Sequence, residues 1–114
     1  MHFLAADLAA AYREARSYGF DLPSQRTYER ATRLLQRLVD SSAPMDTLEI
    51  VIGEDGVIEF TAHIGGKYFV IDVEPVGDVI HMVVRDSAAG TVSFPSVKVT
   101  EPEIVEQIER AAFS

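Results

Sequence analysis

Glu59, Asp72 and His81 are the side chains best placed to do chemistry in this chain, because hairpin folding converts their sequence separation into cross-strand contact. Directly opposed residues on paired strands hold their Cβ atoms about 5 Å apart. Strands turning at Gly65-Gly66 and again through Pro75 to Asp78 put Glu59 beside Asp72 and Asp72 beside His81, one row across three strands. Two carboxylates and an imidazole can hold a divalent metal. They can also transfer protons, since histidine titrates near neutrality and neighbouring carboxylates shift each other's proton affinity. A polar sheet face accounts for the row more economically: an Asp72 to His81 pair relieves the repulsion between Glu59 and Asp72 without any catalytic role. A flat sheet also lacks the concavity that desolvates a substrate. A small metal-assisted or acid/base enzyme using Glu59, Asp72 and His81 is therefore the alternative reading rather than the leading one.

A second constellation is cationic. Arg26, Arg30, Arg33 and Arg37 are separated by four, three and four residues. At 100° per residue they share about a 60° sector of one helix, away from its apolar residues. This ridge is expected to be a solvated helical face, or else a contact for an acidic partner or nucleic acid. No nucleophile elbow, phosphate-gripping glycine loop or zinc-protease helix is present in the sequence, and no cofactor is implied.

The elements that must position these residues follow from periodicity and turn chemistry. Leu4, Leu8, Ala11, Tyr12 and Ala15 recur at helical spacing before Gly19, which predicts a helix over about Leu4 to Ser17. Ser24, after Pro23, is an N-cap for a second helix with Tyr28, Ala31, Leu35 and Leu38 on its apolar stripe, closed by Ser41, Ser42 and Pro44. From Leu48 to Val97 apolar alternation is cut by short turns. A bulged turn at Gly53 to Val57 pairs Ile50 with Phe60 and Ile52 with Ile58. Gly65-Gly66 pairs Ala62 with Phe69 and Phe60 with Ile71. The Pro75 to Asp78 loop sets Val73 opposite Ile80 and Ile71 opposite Met82. Ala88-Ala89-Gly90 then brings Val84 near Phe94, and Pro95 marks the last strand as an edge. Thr100 and Glu103 form a capping box for a third helix whose stripe is Ile104, Ile108 and Ala111. The expectation is an α+β two-layer sandwich: two N-terminal helices, a five-stranded antiparallel meander and a C-terminal helix, with all helices on the Phe60, Phe69, Ile71 and Met82 face.

A length of 114 residues suits a single domain, 1–114, with enough chain to bury a core. The absence of cysteine excludes a disulfide framework, thiolate metal sites and a cysteine nucleophile, and fits a cytoplasmic setting. Neither a signal peptide nor a membrane span is expected at the N-terminus, where Asp7 interrupts a mildly apolar start. The net charge of -8 is polarised: up to Asp40 six arginines face five acids, whereas from Ser41 onward four bases face thirteen acids. An acidic sheet half disfavours direct binding to nucleic-acid phosphates and suits a protein with a basic surface.

Tyr18-Gly19, Pro23, Ala31, Leu34-Leu35, Leu38 and Gly56-Val57-Ile58-Glu59-Phe60 give the chain a resemblance to a group of small, uncharacterised bacterial accessory proteins. In that group a Trp/Tyr-Gly turn precedes a Pro-started helix and a Gly-x-x-x-Glu-Trp hairpin; here Phe60 stands at the Trp position. The resemblance implies a helix-then-meander order and supplies no catalytic residue. The expected function is a non-catalytic acidic protein-binding module, an inhibitor or antagonist of the antitoxin, immunity or phage anti-defence (anti-CRISPR) type that blocks a basic surface such as one gripping nucleic acid. Its expected contacts are Glu54, Asp55, Glu59, Asp72, Glu74 and Asp78, with Tyr68, Val70 and Val83 on the same sheet face. A homodimer stacked through Val70, Val83 and Tyr68 is the third reading, since Val57, Thr61, Val70 and Val83 interrupt the polar face with β-branched residues.

Overall fold

A computed structural model describes residues 4–76, 79–86 and 92–113. Its elements are α1 (Leu4–Ser17), α2 (Gln25–Asp40), β1 (Glu49–Ile52), β2 (Ile58–Ile64), β3 (Lys67–Val73), β4 (Ile80–Asp86), β5 (Val92–Val99) and α3 (Glu101–Phe113). The strands form one antiparallel sheet in the order β1-β2-β3-β4-β5, so the α+β meander expected from the turns is the observed architecture.

Local chemistry explains the helix starts. Ser24 adopts an extended conformation and its Oγ accepts from the Thr27 amide at 3.2 Å, satisfying one of the orphan donors of α2. At α3 the Thr100 hydroxyl accepts from the Glu103 amide at 3.4 Å. Along the strands burial alternates, with Ile58, Phe60, Ala62 and Ile64 of β2 buried and the residues between them not. The same alternation through Phe69, Ile71 and Val73, then Ile80, Met82 and Val84, keeps one sheet face apolar. That face packs with Leu8 of α1, Leu34 and Leu38 of α2, and Ile104 and Ile108 of α3 in one core.

The hairpins hold this phase. Gly53 donates to the Val57 carbonyl at 2.9 Å and Gly56, at φ +85, donates to Gly53 at 3.1 Å, so Ile50 faces Phe60 and Ile52 faces Ile58. At the β2–β3 turn, Gly65 (φ +58) runs tightly beneath α3. A Cβ there would overlap the Ala111 carbonyl oxygen and lie 2.6 Å from the carbonyl carbon, which makes Gly65 the contact that seats the C-terminal helix on the sheet. On β5 the register shifts twice, between Met82↔Val97 and Val84↔Phe94 and again before Arg85↔Val92, so Pro95 lies in an irregular stretch of an edge strand. The turn at 88–90 lies outside the described residues.

Candidate functional site

Because the apolar side chains all turn toward the helices, the intervening residues form an open outer face. Pairing runs Val51–Glu59–Asp72–His81–Lys98 across all five strands. The next row is Glu49–Thr61–Val70–Val83, and beyond it His63–Tyr68–Arg85. The rings of His63 and Tyr68 meet at a tilt of 38° with centroids 4.6 Å apart. Tyr68, Val70 and Val83 are thus brought together with Glu59 and Asp72 on one surface, half-buried only by their neighbours. Val57 precedes the Ile58↔Val73 pair and falls outside the Thr61–Val70–Val83 row, so the β-branched stripe is three strands wide without it. Val51, half exposed at 52%, is an apolar member of this face that alternation on a four-residue strand did not single out.

The acidic row is electrostatically loaded. Partial burial, followed by the hydrogen bond and charge of Glu59, pushes the Asp72 carboxyl from its ordinary 3.8 up to about 7, while the His81 charge pulls the other way. Asp55 adds a further negative charge toward Asp72. Asp72 Oδ1 is buried without a hydrogen-bond partner, as expected where two carboxyls meet and share too few protons.

One sequence expectation, the Asp72 to His81 pair, needs correction at the level of side-chain contacts. His81 lies directly opposite Asp72, but its Nδ1 bonds Glu74 Oε1 at 3.2 Å instead. Glu74 is the diagonal neighbour, two residues along the same face, and its longer side chain reaches the imidazole, leaving Asp72 to Glu59. Among the described residues no group of three His, Asp or Glu side chains converges as a metal cage, so Glu59, Asp72 and His81 share a row but not a ligand geometry.

The arginine ridge differs as well. Arg30 is buried, 8% exposed, and its Nη1 donates to the Glu74 carbonyl at 3.3 Å. Arg33 Nε and Arg37 Nε approach the two oxygens of Glu101 at 3.2 and 3.6 Å. Helical geometry alone places these residues on one side of α2 but does not say what lies there. The sheet end and the first turn of α3 do: Arg30 is buried against the first, while Arg33 and Arg37 reach Glu101 of the second and, like Arg26, remain exposed to solvent.

Glu54 and Asp55 occupy the exposed β1–β2 tip, where the Asp21 amide donates to the Glu54 carbonyl at 3.2 Å. Asp78 lies outside the described residues. Among the described residues no helix is long and apolar enough to cross a membrane. The chain matches no protein-family model, no curated protein and no solved structure.

Proposed function

We propose that the protein is a non-catalytic binding module that acts in the cytoplasm as an inhibitor or antagonist, of the antitoxin, immunity or phage anti-defence type, and docks its open sheet face on a basic protein surface. The observation that carries this reading is the composition of that face. Glu59, Asp72 and Glu74 lie together at one end, and beside them runs the uncovered Thr61–Val70–Val83 row. Such a surface combines an apolar patch that gains by being covered with carboxylates that steer a cationic partner. Where the partner's basic surface grips nucleic acid, the carboxylates compete with phosphates for the same cations.

The high proton affinity of Asp72 fits this role. A cation brought against it favours the ionised form, so docking releases a proton and strengthens as pH rises toward 8.

The test is comparative co-purification from the native host. Wild type and an Arg13→Glu control on α1 are expected to retain the same protein, and Glu59→Lys/Glu74→Lys is expected to lose it. Retention by all three, or by none, overturns the reading.

A further inference from the structure

The corner where α2 meets the junction of β5 and α3 holds a cleft of about 690 Å3 with a net cationic lining. Arg26, Arg30, Arg33 and Lys98 line it against only two carboxylates, Glu29 and Glu101, in a chain of net charge -8. Arg26, Arg30 and Arg33 come from one side of α2, and folding adds Lys98, 65 positions beyond Arg33. Arg30 is a buried and therefore fixed member, held through Nη1 by the Glu74 carbonyl. The position already attracts an anion: the carboxylate of Glu101 is drawn to Arg33 and Arg37 at its rim. Thr100 and the buried Ile80 and Val99 complete its lining.

The geometry points to a binding site for a phosphorylated small molecule, with a diphosphate held by Arg26, Arg33 and Lys98 over Arg30. Guanidinium groups suit phosphate because their forked donors match its oxygens in pairs. The volume lies within the roughly 300–1,000 Å3 typical of small-ligand sites, more than an isolated phosphate fills, which leaves room for the group the phosphate is attached to. A compact anion also fits the wider field better than a nucleic-acid strand, which would run from the cleft onto the acidic sheet half and be repelled. Lys98 also ends the Glu59–Asp72–His81 row, so the cleft adjoins the outer sheet face at that edge, but its test reads phosphate binding rather than partner retention and the two readings can fail separately.

Isothermal titration at low salt tests it with three probes: inorganic pyrophosphate, a nucleoside diphosphate and the matching nucleoside without phosphate. Both phosphorylated probes are expected to bind saturably with Kd below about 1 mM, and the nucleoside is expected not to bind. Arg26→Gln and Lys98→Gln, both at exposed positions, are each expected to weaken pyrophosphate binding about tenfold, with an unchanged melting temperature reporting an intact fold. Arg13→Glu, on α1, is expected to leave it unchanged. Absence of saturable pyrophosphate binding, equal binding of the bare nucleoside, or equal loss in the Arg13→Glu control overturns the assignment.

Discussion

Gly65→Ala and Gly66→Ala form a matched pair that isolates one contact. Both glycines have positive φ, +58 and +78, so each substitution carries the left-handed penalty of an L-residue, about 1–2 kcal/mol. Only Gly65 faces a neighbour. Its new methyl would overlap the Ala111 carbonyl, whereas at Gly66 nothing lies within 4 Å. The obstacle at Gly65 is helix backbone, which cannot swing aside as a side chain can. Relief requires lifting the end of α3, an overpacking cost of about 1–3 kcal/mol more. At about 4 °C per kcal/mol for a domain of this size, Gly66→Ala should lower the melting temperature by about 4–8 °C and Gly65→Ala by about 8–20 °C. Thermal unfolding followed by circular dichroism reads the difference. Equal losses in the two variants would refute the claim that Gly65 seats α3.

Three further outcomes follow from the site. Because the folded state raises the Asp72 pKa from 3.8 to about 7, its contribution to stability is intact below pH 4, is lost progressively as pH rises toward 7 and stays lost above it. Asp72→Asn donates to Glu59 at every pH and should be more stable than wild type at pH 8 by about 1 kcal/mol, a figure reduced for partial exposure, with no gain at pH 4. Urea midpoints at the two pH values decide, and a pH-independent difference contradicts the assignment. Arg30→Ala should destabilise by about 2 kcal/mol through the lost charge-assisted bond to Glu74, and Arg30→Met by less because it keeps an apolar stem. An Arg30→Ala protein that melts like wild type would refute the anchoring of α2 through Arg30. Light scattering should give a monomer whose mass Val83→Glu leaves unchanged; a dimer that Val83→Glu splits would assign the sheet face to a second copy of the chain and contradict the docking role.

The sheet was legible because its turns carry their own instructions. Gly53 to Gly56 and Gly65-Gly66 fix hairpin lengths, and a one-residue slip would have turned Phe60 and Met82 into solvent, so the core itself selects the register. With the register came the neighbours Glu59, Asp72 and His81 and the row of Thr61, Val70 and Val83. What alternation cannot supply is side-chain reach: His81 turned to Glu74 on the diagonal because a glutamate spans a distance that an aspartate does not. The arginine clamp was hidden for a different reason. Arg30 meets a carbonyl 44 residues away and Arg33 meets Glu101 68 residues away, contacts set by how α2 lies over the sheet, which no local period encodes. The cleft at Lys98 and Thr100 is a product of the same placement.

Photo-cross-linking in the native host addresses the docking face most directly. A benzophenone side chain substituted at Tyr68 on the outer sheet face, and separately at the exposed Arg13 on α1, samples the sheet and the helix layer in otherwise unaltered chains. A single protein adduct is expected from the Tyr68 position that disappears when Glu59→Lys/Glu74→Lys is added, with no such adduct from the Arg13 position. The same adduct from Arg13 alone, or one from Tyr68 that survives charge reversal, would contradict the docking role.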